Sequence, residues 1–196
     1  MHFQGVYLMY HHSLVKDFSF GCILGMPKTH PLKNSERFLC YMAYLTKLID
    51  FMDTIFIVLR KKFNQISFLH VYHHSLMAMV AWTIGIFYGA AGIHVITGIL
   101  NAFVHCCMYL YYWLSSKYPK IKESKFKRYL TQLQLLQFII IFCHGTLSLY
   151  FKPDCTYPQF LTYTIVLQSV VMMVLFGNFY RKAYLQTSSK KTKKLE

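Results

Sequence analysis

From Phe38 onward, long apolar runs alternate with short connections that are polar and mostly basic. Five runs reach the roughly 20 residues an α-helix needs to cross a hydrocarbon core: Phe38 to Leu59, Ile66 to Phe87, Gly92 to Leu114, Tyr129 to Phe151 and Gln159 to Tyr180. Each is continuously apolar, whereas a transmembrane β-strand would alternate over about ten positions. The pattern therefore predicts an all-α polytopic transmembrane helix bundle with five spans. It divides the chain into an N-terminal segment 1–37, a membrane domain 38–180 and a basic tail 181–196.

Composition changes the picture by excluding a soluble domain. Of the 196 residues, 55% are apolar and 14% charged, against roughly 25% charged in an average soluble protein. The net charge of +14 sits between the apolar runs, where it suits lipid headgroups or phosphorylated ligands better than nucleic acid. Fifteen Lys and Arg fall in the first and third connections and the tail, against five on the other side. Cytoplasmic loops carry such an excess, so the C-terminus is expected in the cytoplasm and residues 1–37 on the far side. The terminal Lys193-Lys194-Leu195-Glu196 matches the dilysine address of endoplasmic reticulum membrane proteins, a signal read by a receptor rather than an anchor.

Ionisable groups inside a span are costly and presumed functional, and here they are ordered. The first span carries Lys47, Asp50, Asp53 and Thr54 at about one-turn spacing. The second opens with His70, His73 and His74, which place three imidazoles within about 100° of helical arc. The third has Asn101 and His105 four apart, then Tyr109, Tyr111 and Tyr112; the fourth has Thr131, Gln134 and Gln137. These stripes need partners away from lipid and are expected to converge on one cavity near the cytoplasmic helix ends. Arg60, Lys61, Lys62, Lys127 and Arg128 would flank its mouth. The isolated His94 and His144 read as ordinary core residues.

The series Lys47-x-x-Asp50-x-x-Asp53-Thr54, Gln65-x-x-Phe68-Leu69-His70-x-Tyr72-His73-His74, Asn101-x-x-x-His105-x-x-Met108-Tyr109-x-Tyr111-Tyr112 and Thr131-x-x-Gln134-x-x-Gln137-Phe138 resembles the very-long-chain fatty acid elongases. These are the 3-ketoacyl-CoA synthases of the endoplasmic reticulum membrane. The resemblance runs from about Arg37 to the C-terminus. It implies condensation of a long-chain acyl-CoA with malonyl-CoA, with neither a metal nor a further cofactor. Two departures stand out: Asp50 replaces the family's usual Glu, and the chain begins where the first two of seven family spans would have ended. An N-terminally incomplete member is the corresponding expectation.

The resemblance singles out His73, the middle histidine, as nucleophile, and a neutral imidazole can attack a thioester to give an acyl-imidazole. His70 and His74 would fix its tautomer or carry protons. His105, Asn101 and Gln134 would supply donors to the enolate left by decarboxylation. Lys47, Asp50 and Asp53 would hold the site in place, with Tyr109, Tyr112 and Gln137 as substrate contacts. The five basic residues at the mouth are candidate CoA phosphate contacts. The resemblance also implies a homodimer and contact with the other enzymes of the elongation cycle.

Two rivals stand beside this reading. A membrane di-iron desaturase or hydroxylase also uses a His-x-x-His-His box, but draws on several boxes where this chain has one. A transporter or passive lipid-binding scaffold would use the polar stripes without chemistry. Among the six cysteines, Cys40, Cys106, Cys107 and Cys143 lie in spans and Cys22 and Cys155 in segments assigned to the oxidising lumen. Family members commonly have a cysteine in both loops, and a Cys22–Cys155 disulfide is the expectation.

Overall fold

The computed structural model describes residues 28–29, 31, 33–61, 63, 67–89, 92–123, 125–151 and 157–186. Cys22, Cys155, Lys62 and Gln65 lie outside the described residues, as does the side chain of Asp53. Long helices dominate: α1 (Lys33–Leu59), α2 (Phe68–Phe87), α3 (Ile93–Lys117), the short α4 (Lys120–Glu123), α5 (Phe126–Phe151) and α6 (Gln159–Tyr180). Six residues of wider π-helical turn, Arg181–Gln186, continue α6.

The five predicted spans coincide with the five long helices. Ends differ where a helix runs on past its apolar stretch. α1 starts five residues early, and its polar first turn is closed by a 2.7 Å Lys33–Glu36 ion pair. α3 extends to Lys117, whose Nζ lies 4.4 Å from the Trp113 ring centroid. α2 starts later than the apolar run because Ser67 caps it, its Oγ accepting from the His70 amide at 3.2 Å. Among the described residues, Ile93–Lys117, Phe126–Phe151 and Gln159–Gln186 are long and apolar enough to cross a membrane. The two helices bearing Lys47, Asp50, Asp53 and the three histidines fall short because of those residues.

The helices form two compact units that part between His94 and Val95. In the first, α1 and α2 pack as a pair, and glycine permits their closest approach. A Cβ at Gly85 would stand 3.3 Å from the Cys40 Cβ, so a side chain there requires Cys40 to shift by a few tenths of an ångström. The pair ends at Gly89, where φ is +71° and an added Cβ would meet the Glu36 carboxylate. In the second, α5 packs on α6, with Phe138 against Phe176 at 5.4 Å between ring centroids. Tyr111 of α3 stacks on Phe126 at 5.6 Å.

Burial runs opposite to that of a water-soluble protein. Asp50, Thr54, Asn101, Thr131, Gln137, Thr162 and Ser169 are buried, while Ile49, Leu59, Phe68, Phe87, Leu110, Leu167 and Val174 are exposed. Apolar surface on this scale is covered by lipid in a stable protein. The chain is a multi-pass helical membrane protein.

Candidate functional site

Two of the four sequence motifs meet in the first unit. On α1, Lys47 and Asp50 are one turn apart and form an ion pair of 3.0 Å. The Asp50 carboxylate is buried, 6% exposed. A buried charge left alone would cost several kcal/mol, and the lysine offsets that cost. One turn further on, buried Thr54 places its Oγ1 2.9 Å from Nε2 of His70 on α2. A hydroxyl can donate or accept, so this contact fixes the ring's orientation and couples its tautomer to the direction of the hydroxyl hydrogen.

From His70 the cluster continues along α2. The His70 and His74 rings are 4.5 Å apart and tilted by 49°. His73 meets His74 edge to face at 5.3 Å. All three are half-buried. Thr54, His70, His74 and His73 thus form a continuous row of side chains in contact on two packed helices. Phe68 and Tyr72 stack at 5.6 Å on the same helix. Between α1 and α2 lies a groove of about 250 Å³ lined by Tyr44, Leu48, Ala78, Met79 and Trp82. Ala78 is one turn beyond His74, so the groove starts where the histidines end.

The basic residues after α1 sit in its closing turn, where Arg60 and Lys61 are exposed. Lys61 takes a left-handed backbone, φ +54°, a conformation that glycine occupies far more readily.

The other two motifs are in the second unit. Asn101 is buried at 6% exposure, and His105 follows one turn later, half-buried. The aromatic run extends from there: His105 to Tyr109 at 6.0 Å and Tyr109 to Tyr112 at 6.3 Å between centroids. Gln134 of α5 directs its Nε2 to the Met108 sulfur at 3.0 Å, joining the third motif to the fourth. Gln137 and Thr131 are buried. Arg128 donates through Nε to the Tyr180 hydroxyl at 2.6 Å. Lys127 is exposed beside it.

Sequence reasoning passed over Thr54 as a partner of one particular imidazole, although the residue stands in the quoted motif. It also passed over Tyr180 and Tyr184, which carry no signal at 52 and 53 residues' separation from their partners. His94 and His144 are half-buried, and Cys40, Cys106, Cys107 and Cys143 are free thiols. Among the described residues, no group of three or more His, Cys, Asp or Glu is arranged to hold a metal ion.

Comparison with known proteins supplies an independent line. The profile described as ELO: GNS1/SUR4 family matches residues 1–192. Very long chain fatty acid elongase F of Drosophila melanogaster is 38% identical over 190 residues, covering 96% of this chain and 72% of the relative. Very long chain fatty acid elongase 7 of the same fly is 40% identical over 152 residues, 77% of this chain and 46% of the relative. Very long chain fatty acid elongase 4 of Mus musculus is 41% identical over 152 residues, 77% of this chain and 48% of the relative.

Proposed function

The chain belongs to the ELO (GNS1/SUR4) family, and from that membership we propose that it condenses a long-chain acyl-CoA with malonyl-CoA to a 3-ketoacyl-CoA. Elongation of fatty acids is the work named for its relatives. It favours this reading over the di-iron oxidation and passive transport that the histidine box and polar stripes also fit. The observation that carries the chemistry is the row of three imidazoles, one of them held by Thr54.

The reaction divides into two half-reactions. A neutral ring nitrogen of His73 attacks the thioester carbonyl carbon; a C–N bond forms, the C–S bond breaks, and CoA leaves as the thiol. The proton it takes comes from the imidazole row, where His74 is in ring contact with both His73 and His70. The acyl group waits on His73 while malonyl-CoA replaces CoA. Loss of carbon dioxide leaves the C–C electron pair as an enolate, whose carbon attacks the acyl carbonyl and releases the imidazole. Developing negative charge on the enolate oxygen needs hydrogen-bond donors, a role assigned to His105, Asn101 and Gln134. Lys47 and Asp50 keep α1 in register beside the histidines. Tyr109, Tyr112 and Gln137 are assigned to substrate contact.

The basic excess on one side supports a cytoplasmic C-terminus, and the dilysine address supports residence in the endoplasmic reticulum. A homodimer and the remaining elongation-cycle enzymes are its proposed partners. The test is incorporation of labelled malonyl carbon into long-chain acyl-CoA by membranes containing the protein. Loss of incorporation in His73→Ala membranes with unchanged protein level supports the reading. Equal incorporation with and without the protein overturns it.

A further inference from the structure

Of the described side chains on α1, those that are buried are Glu36, Asp50 and Thr54, and all three are polar. Asp50 and Thr54 stand beside the histidines; Glu36 does not. It lies at the opposite end of the helix pair, 3% exposed, with Lys33 Nζ 2.7 Å from its Oε2. Lys33-x-x-Glu36 precedes Lys47-x-x-Asp50 by 14 residues, about four turns, which returns to within about 40° of the same face.

Glu36 is seated on the end of α2. Gly89 is buried there, and a Cβ on it would fall 2.6 Å from Glu36 Oε1 and 3.4 Å from Lys33 Nζ. Any side chain at Gly89 would have to displace the carboxylate. The Tyr88 and Gly89 amides both turn back to the Ile84 carbonyl oxygen, at 3.0 and 2.9 Å, and close the helix. The charges suit the two helix ends. Glu36 is in the first turn of α1, where the helix dipole favours an anion. Lys33 is beside the end of α2, whose last turn has no basic residue of its own.

This contact constrains the histidine row at the other end. In lipid, apolar surface gives two helices little reason to prefer one register over another, so close approach at small residues and polar contacts set it. Here the polar contacts bracket the pair. Thr54 follows Glu36 by 18 residues and Gly89 follows His70 by 19, about 27 to 28 Å of helix on each. Cys40 against Gly85 fits the same antiparallel register. A slip of one residue would carry Thr54 about 1.5 Å along α2 and break its 2.9 Å contact with His70.

We propose that Glu36, paired with Lys33 and seated on Gly89, is a positioning residue for the histidine row: it locks the register of α1 on α2 so that Thr54 stays opposite His70. Its value to acyl transfer rests on the condensation reading; the lock itself does not.

The experiment uses the full chain in phosphatidylcholine nanodiscs, with two readouts that need no elongase activity. In a Gly85→Cys background, the new thiol faces native Cys40 with Cβ positions 3.3 Å apart, close to the separation a disulfide spans, so the rate of oxidative cross-linking reports register. Modification by diethyl pyrocarbonate, located by mass spectrometry, reports how firmly the His70 ring is engaged. Glu36→Ala removes the carboxylate, and Gly89→Ala displaces it. Each is expected to slow the cross-link and to speed modification of His70 about fivefold, the effect of freeing one hydrogen-bonded ring nitrogen. Gly89→Ala also strains a left-handed backbone, so Glu36→Ala carries the test if Gly89→Ala folds poorly. Thr54→Val is the control, expected to speed His70 modification with the cross-link unchanged.

Unchanged cross-linking and His70 reactivity in Glu36→Ala overturn the lock. A slower cross-link with unchanged His70 reactivity confines Glu36 to packing its own end and overturns the positioning role. With acyl-CoA, Glu36→Ala should lower the rate of acyl transfer and leave KM unchanged, since the lock lies far from the basic mouth. A wild-type protein that transfers no acyl group would sink the elongase reading, while the lock would still be read from cross-linking and His70 modification.

Discussion

Thr54 shows how one hydroxyl can govern a cluster of imidazoles. It is buried, 8% exposed, and its 2.9 Å contact with His70 Nε2 joins α1 to the histidine row. Valine has the same shape and cannot make that contact, so Thr54→Val leaves a ring nitrogen to be re-satisfied. We expect acyl transfer to the enzyme to slow about tenfold, the effect of losing one hydrogen bond of about 1.4 kcal/mol, with rescue by Thr54→Ser. Equal rates in the Val and Ser variants would mean that the contact only packs. Roles within the two half-reactions separate in the same way. With acyl-CoA alone, His73→Ala should release no stoichiometric CoA, whereas His105→Ala should release it and fail only when malonyl-CoA is added. Release from His73→Ala would move the nucleophile to another histidine. The motif residues were legible because polar side chains inside apolar runs are few and their spacing follows the helix. Which of them pair was not: helical spacing gives a shared face, and the partner across to the next helix depends on packing register.

At the level of helices, continuous apolarity located all five long elements, and α6 spans the predicted Gln159 to Tyr180. The ends departed from prediction where polar residues make their own stabilising contacts, as Ser67 does at α2 and Lys33 with Glu36 at α1. The turn after α1 holds a further cost. Lys61 occupies a left-handed conformation that costs a side-chain-bearing residue about 1 kcal/mol. Lys61→Gly should therefore raise thermal stability, while removal of its cation should raise the KM for CoA substrates. A stability gain without a change in KM would reduce Lys61 to a topogenic charge. The groove between α1 and α2 bears on chain length, since it begins one turn beyond His74 and is lined by Leu48, Met79 and Trp82. Ala78→Phe would fill part of its roughly 250 Å³. If the acyl chain lies there, products should shorten, and analysis of chain length with graded acyl-CoA substrates would show it. An unchanged product profile would place the acyl chain elsewhere.

For the whole molecule, the sequence carried its class, because that rests on sums over many residues. Apolar length sets the spans, and the bias of basic residues predicts an orientation. Pairings between residues far apart in sequence are of another kind, as the Arg128–Tyr180 contact illustrates: nothing in either local pattern announces it. Orientation and the proposed lumenal bridge can be tested together with an impermeant maleimide in sealed microsomes whose cytoplasmic face is outward. Lys125 lies in the strongly basic third connection, exposed between α4 and α5, and Lys125→Cys should label at once. Cys155, in the connection between α5 and α6, should resist labelling until the vesicles are opened. If it is bridged to Cys22, reduction should also be needed, because only a free thiolate reacts. Labelling of Cys155 in intact vesicles would invert the topology and put both cysteines in a reducing compartment, where a stable disulfide is not expected. Labelling after opening but without reduction would keep the topology and remove the bridge. The two outcomes separate because orientation depends on the charge of whole loops, whereas the bridge depends on two sulfur atoms alone.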